Sequence, residues 1–390
     1  MFNQTAYELG ANRSSIRDLF EYGRARAAIV GPENVYDYSL GNPSIPAPPE
    51  INEAIRQILL DTNTLTVHGY SSAVGNLSAR KAIAQDLNDR YGTDITPEEL
   101  FIGCGTAGEL CAVFQALAVP EAEILAIAPY FPEYRPFVQC AGCTLKVVPP
   151  DVPNFQISLD GVEQTITEHT VAIIINSPNN PSGVVYTRQT LCALAELLTR
   201  KSAQYGHPIY IVSDDPYREL VYDGVEVPFL PTIYKNTIVC YSYSKSLSLP
   251  GERIGYIYVP RQAEDGEKLY AAVAGASRGS GHVCAPSLLQ QVIARCAHLR
   301  PDLVAYDKNR KALYEGLLDA GYQVAPPHGA FYLFVKAPGG DAVAFSEKAK
   351  EKDLLVVPGD PFGCPGYFRL CYCVSYEQIQ KSLPVFRSLL

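Results

Sequence analysis

No stretch of this chain reads as a transmembrane span, although 47% of its 390 residues are hydrophobic and only 19% are charged. A soluble globular class is the expectation. There is no basic run either, and the formal net charge is −9, which argues against nucleic acid as a partner. The opening residues, MFNQTAYELG, lack the basic and apolar parts of a signal peptide. Internal repeats and low-complexity tails are also missing. The eleven cysteines, an odd number, are scattered from Cys104 to Cys373. Most sit in apolar runs, as small core residues do in a reducing cytosol. Cys140 and Cys143 form a CxxC with no second pair to match it, so no metal site is expected. These absences point to a cytoplasmic protein without membrane or nucleic-acid partners.

A chain this long exceeds one compact core, so two subdomains are expected. A helix is predicted from Ser14 to about Ala28, then a short strand over Tyr36–Leu40 running into Gly41-Asn42-Pro43. Amphipathic helices follow at Pro49–Leu60 and Asn76–Tyr91, with the loop HGYSSAVG between them. From Leu100 the pattern changes to short apolar runs: Leu100–Ile102, Ile124–Ala128, Thr144–Val148, Val171–Ile175, Ile209–Ser213, Thr237–Tyr243 and Tyr256–Val259. Helical stretches such as Glu109–Ala118, Arg188–Ala203 and Ala263–Ala274 separate most of them. Buried strands alternating with helices predict an α/β fold whose mainly parallel sheet is covered on both faces. Beyond Gly281 a long helix from Pro286 through Ala305, broken near Arg300-Pro301, leads into an α+β remainder, with Gly321–Val335 and Leu354–Cys373 strand-like. The expected division is an arm with part of a small domain over 1–40, a large domain over 41–280, and a small α+β domain over 281–390.

Ligands of such a sheet sit beyond the carboxyl ends of its strands, and there the chemistry-bearing residues fall one after another. The richest stretch is TIVCYSYSKSLSLPGERIGY, Thr237 to Tyr256. Lys245 follows the strand directly, where desolvation can leave its amine neutral enough to attack a carbonyl. Ser242, Ser244, Ser246, Ser248 and Arg253 offer hydroxyls and a guanidinium fork to a phosphate. A reactive amine beside a phosphate cradle suggests pyridoxal phosphate, against the plainer alternative of a polar loop with a solvated lysine.

After Leu100–Ile102 comes GCGTAGEL, in which Gly103, Gly105 and Gly108 match G-x-G-x-x-G. A dinucleotide site needs an acidic residue at the end of the next strand. Pro129-Tyr130 stands there instead. A phosphate on the amides of Thr106 and Ala107 at a helix N-terminus survives that test. PYFPEY, after Ile124–Ala128, can stack an aromatic face on a flat heterocycle or simply pack in the core. In NSPNNPSG, Asn180 can donate to a ring oxygen or belong to an ordinary turn. Asp214-Asp215-Pro216-Tyr217 ends the strand Ile209–Ser213. A buried carboxylate there wants a cation such as a pyridinium nitrogen, or else it caps a helix.

Taken together, SPNNPSG, SDDPY and SYSKSLSLPGERIGY resemble the class I/II aminotransferases among the fold-type I pyridoxal-phosphate enzymes, in their order and spacing, from about Tyr38 to Arg369. The resemblance is to aspartate aminotransferase-like proteins. It implies that Lys245 forms the Schiff base with the cofactor, that Asp214 pairs with its pyridine nitrogen, and that Tyr217 and Asn180 contact its phenolic oxygen. It further implies that Thr106, Ala107, Ser242 and Arg253 hold the phosphate. Phe131 takes the stacking position, where the family more often has Tyr or Trp. Arg369, in GYFRLCY, matches the arginine that grips the substrate α-carboxylate, helped by the Gly41 backbone. Tyr70 matches a tyrosine that reaches the phosphate of a neighbouring subunit, which implies a homodimer with shared sites. Arg278, in the Gly-rich ASRGSGH after the presumed last helix of the large domain, is a candidate for reading a distal carboxylate. The activity so implied is transfer of an amino group between an L-amino acid and a 2-oxo acid, of aspartate/glutamate type. The same residues also serve β-eliminating C–S lyases. A cofactor-sensing regulator is a remoter alternative, since only some 40 residues precede Gly41, with no basic recognition helix.

Overall fold

Seven apolar runs become the strands of one sheet in the computed structural model, which describes residues 1–11 and 15–390. They are β1 (Leu100–Gly103), β2 (Glu123–Ile127), β3 (Thr144–Val148), β4 (Thr170–Ile175), β5 (Tyr210–Asp214), β6 (Thr237–Ser242) and β7 (Gly255–Tyr258). Their order is β1-β7-β6-β5-β4-β2-β3. β7 runs antiparallel to both neighbours, and the remaining pairs are parallel. Strand alternation sends side chains to two covered faces. Phe101, Ala126, Ile174, Val212 and Ile238 pack beneath the helix Thr106–Ala116. Opposite them, Leu125, Ile173 and Ile211 meet the helix Arg188–Tyr205. That helix starts where the Thr187 hydroxyl accepts from the Thr190 amide and stops at left-handed Gly206.

The helices Pro49–Asp61, Leu77–Tyr91 and Ser287–Cys296 pack together over β1, β7 and β6 at one end of the sheet. A second core lies between Val304–Ala320, Tyr376–Arg387 and a three-stranded antiparallel sheet, Val357–Pro358, Tyr367–Cys371 and Tyr332–Lys336. Tyr38, Tyr217 and Leu220 join that core from outside.

Several expected elements differ. The helix expected over Ser14–Ala28 runs Ser15–Val30, its expected start at Ser14 lying outside the described residues, and a further helix, Gln4–Ala11, precedes it. The strand at Tyr36–Leu40 shrinks to Tyr36–Asp37, paired in parallel with Leu354–Leu355. From Ser39 the backbone is drawn toward Arg369 instead, through the Ser39 carbonyl. The long helix after Pro286 is two helices, Ser287–Cys296 and Val304–Ala320, and Arg300-Pro301 lies in the connection between them, where neither residue favours helix. Within Gly321–Val335 only Tyr332 onward is strand.

Candidate active site

Beyond the carboxyl ends of the strands lies a cavity of about 300 Å³. Its inner wall carries Asp214, the last residue of β5, which is buried. Asp214 Oδ2 accepts from the Tyr134 hydroxyl, and its backbone carbonyl accepts from Asn176 Nδ2 at 2.8 Å. Its Oδ1 has no hydrogen-bond partner among the described residues. Burial, and to a lesser degree the neighbouring Asp215, push its carboxyl up to about 7, against the pull of the Tyr134 hydrogen bond. Asp215 is partnered differently: the Ser213 hydroxyl donates to Oδ1 and Arg218 lies against Oδ2 at 3.4 Å. The arginine and the serine oppose the burial that raises its carboxyl.

Lys245 stands at the mouth, on the short helical turn Tyr243–Ser246 after β6. Its Nζ donates to the Gly41 carbonyl at 2.7 Å and lies 5.5 Å from the Phe331 ring centre. Burial lowers its ammonium pKa, aided by Arg369 and Arg253, although Cys373 and Cys371 oppose the shift. Gly41 must be glycine here: a Cβ would stand 2.2 Å from the Tyr332 hydroxyl.

A cradle of donors forms one side. Thr106 and Ala107 open the helix Thr106–Ala116, with N–H groups free at its N-terminus. The buried Thr106 Oγ1 has no partner among the described residues. Ser242 and Ser244 hydroxyls meet at 2.6 Å. Arg253, held by the Pro250 carbonyl at 2.8 Å, borders Gly105, where a Cβ would stand 2.9 Å from Arg253 Nη2. Phe131 lines the cavity and meets the Tyr134 ring edge-on, with centroids 5.7 Å apart.

At the other side, Arg369 is 2% exposed on Tyr367–Cys371. Nη1 donates to Asn180 Oδ1 at 3.1 Å, and Nη2 donates to the Ser39 carbonyl. Its Nε has no partner among the described residues. The guanidinium lies 4.8 Å from the Tyr332 ring centre and 5.1 Å from that of Phe362. Tyr217 shares a 2.9 Å hydroxyl contact with Tyr332, and burial raises its phenol.

Eleven expected residues therefore border this one cavity, and two do not. Tyr70 is 98% exposed on the outer surface. Arg278 is exposed too, in the last turn of the helix Gly266–Gly279 rather than in a loop. Of the glycines around it, Gly275 lies inside that helix and Gly279 is its last residue. Sequence reasoning overlooked Tyr134, Asn176 and Tyr332 as members of the site, whereas Ser244, read as a phosphate hydroxyl, does line the cavity. Tyr134 and Asn176 sit inside the quoted strand-end motifs, so position at a strand end was the usable signal. Tyr332, from the second core, carried none.

The family model for aminotransferase class I and II matches residues 33–385. The aspartate aminotransferase of Thermotoga maritima is 31% identical over 368 residues, covering 92% of each chain. The aspartate/prephenate aminotransferase of Thermus thermophilus is 31% identical over 90% of this chain and 89% of its own. Among solved structures, an aminotransferase from Eubacterium rectale is 52% identical, with a TM-score of 0.98 over 100% of this chain and 98% of its own. Thermus thermophilus aspartate aminotransferase with maleate is 27% identical, with a TM-score of 0.86 over 100% of both chains.

Proposed function

This chain belongs to the class I and II aminotransferases, and from that we propose that it binds pyridoxal 5′-phosphate in the cavity around Lys245 and exchanges amino groups between L-amino acids and 2-oxo acids, of aspartate/glutamate type. One observation carries the reading. Asp214 Oδ1 is a buried carboxylate oxygen without a partner among the described residues, in the same cavity as a desolvated lysine. Such an oxygen calls for a cation, and a protonated pyridine supplies one. The orphaned Thr106 Oγ1 and the space kept by Gly105 beside Arg253 fit a phosphate in the same way. When bound, this cofactor supplies an electron sink for the pair released as a substrate Cα–H bond breaks.

The chain's own residues do the rest. Asp214, ionised once it faces a cation, keeps the ring nitrogen protonated. Thr106, Ala107, Ser242 and Arg253 anchor the phosphate, and Phe131 covers one ring face. Asn180, its oxygen engaged by Arg369, offers Nδ2 to the ring oxygen beside Tyr217. Arg369, with donors left over, binds the substrate α-carboxylate next to the Gly41 backbone. Nζ of Lys245, its basicity lowered by burial, would take the substrate α-proton and hold it for return. Tyr70 reaches a neighbouring subunit's phosphate in a homodimer. Arg278 is the candidate that reads a distal carboxylate from across that interface. The domain division at residues 40 and 280, and a cytoplasmic setting for a chain with eleven free cysteines, belong to the same reading.

The aspartate preference leans on the names of the relatives, one of them solved with maleate. A panel of amino acids against 2-oxoglutarate and pyruvate, with the cofactor absorbance followed, tests the reading. Aspartate and glutamate are expected to lead, and Arg278→Ala to slow those two selectively. A panel led by apolar amino acids with Arg278→Ala silent overturns the substrate assignment.

A further inference from the structure

Glu109 is the buried group that this chemistry leaves without a task. It lies on the first turn of the helix Thr106–Ala116, is 1% exposed, and neither carboxyl oxygen has a hydrogen-bond partner among the described residues. Two glycines make its slot. A Cβ at Gly103 would stand 2.4 Å from Glu109 Cγ, and one at Gly255 would stand 2.4 Å from Oε1. The Tyr241 carbonyl and Ser242 Cα border the same space, so the carboxyl lies against the ends of β1, β6 and β7, below the phosphate cradle. The titratable groups facing it are Cys104 from its own loop, Asp214 from β5, Cys240 from β6 and Arg253 from the segment before β7. Arg253 is the one cation of that set, and it is also a wall of the cradle.

We propose that Glu109 is a neutral carboxylic acid built as the floor of the anion cradle, so that the cradle holds a phosphate monoester dianion only while Glu109 keeps its proton. The proposal rests on the cofactor reading above. Burial and then Asp214 raise its carboxyl well above the usual range, and Arg253 and then the Tyr241 backbone pull the other way. A phosphate dianion on Arg253 cancels the arginine's pull and adds its own repulsion. Glu109 thus holds its proton more tightly in the loaded chain than in the free one. By linkage, affinity for the anion is flat while the free chain keeps the proton, and falls by up to about tenfold per pH unit once it is lost. Glutamine keeps the shape of the neutral acid and cannot ionise.

The experiment compares full-length wild type and Glu109→Gln, both freed of cofactor. The probe is pyridoxamine phosphate, whose amine cannot link to Lys245. Equilibrium dialysis from neutral to alkaline pH gives the ratio of the two dissociation constants, in which the ligand's own ionisations cancel. The expected ratio is near one at neutral pH, rising by up to about tenfold per unit on the alkaline side as only wild type releases the ligand. Parallel profiles, or a tenfold weaker Glu109→Gln at neutral pH, overturn the proposal. Wild type that binds no pyridoxamine phosphate at any pH overturns the cofactor reading and this proposal with it. Infrared difference spectra of wild type alone serve if the variant does not fold. Adding the probe at alkaline pH should convert a carboxylate band into a carboxylic-acid band, and absence of that conversion rejects the idea.

Discussion

Asp214 and Asp215 are adjacent and both buried, yet they face different partners. Asp215 is spent on Ser213 and Arg218, while Asp214 keeps one oxygen for the cavity. Asp214→Asn should therefore cost roughly two orders of magnitude or more in turnover, about 3 kcal/mol, and Asp215→Asn far less if it folds. Equal losses in kcat, with equal losses of stability, would assign both to folding. The sign of the stability effect follows from the carboxyl at about 7 against 3.8 in the unfolded chain. Between those values the native cofactor-free chain holds a proton that the unfolded chain has released. Its stability then falls as pH rises through that window, on the order of a few kcal/mol in all. Thermal unfolding of cofactor-free Asp214→Asn and wild type from pH 5 to 8 should show the variant gaining on wild type as pH rises, and a constant gap contradicts this. Asp214 was legible in sequence because Tyr217 marks it by a fixed offset. Glu109 and Tyr134 were not, because their roles depend on which strands a helix lands against, and nothing local records that.

Among the elements, all seven strands of the large sheet were legible, since strands buried on both faces are continuous apolar runs. Short elements were not. The helices Tyr134–Cys140 and Leu159–Thr165 carry Pro136 and Gly161, and each is too short for a helical period to register. The strand–turn–helix unit around Gly105 is the element on which the cradle depends. Gly105 has φ +81, and a side chain there meets Arg253. Gly105→Ala should combine left-handed strain of about 1–2 kcal/mol with displacement of the guanidinium. Cofactor retention on dialysis should drop about tenfold or more, with the fold unchanged by circular dichroism. Unaltered retention would remove Arg253 from the cradle.

At the scale of the molecule, the site draws on both cores: Asp214 and Lys245 come from the sheet, and Arg369 and Tyr332 from the second core. That convergence was legible only through motif order, because Arg369 lies 124 positions beyond Lys245. Tyr70 is 98% exposed in the single chain, so the proposed role requires a second chain. Mixing inactive Tyr70→Phe and Lys245→Ala chains should regenerate part of the activity through sites with both residues intact, and no recovery after verified subunit exchange contradicts a shared site. A half-reaction tests the amino-group transfer most directly: purified protein given L-aspartate alone, with no oxo acid added. The prediction is one equivalent of oxo acid per subunit, accompanied by conversion of the bound cofactor's absorbance and then arrest, with Lys245→Ala giving none. Continued formation of pyruvate and ammonia from cysteine-type substrates without any acceptor, and no such arrest with aspartate, would contradict it and favour elimination.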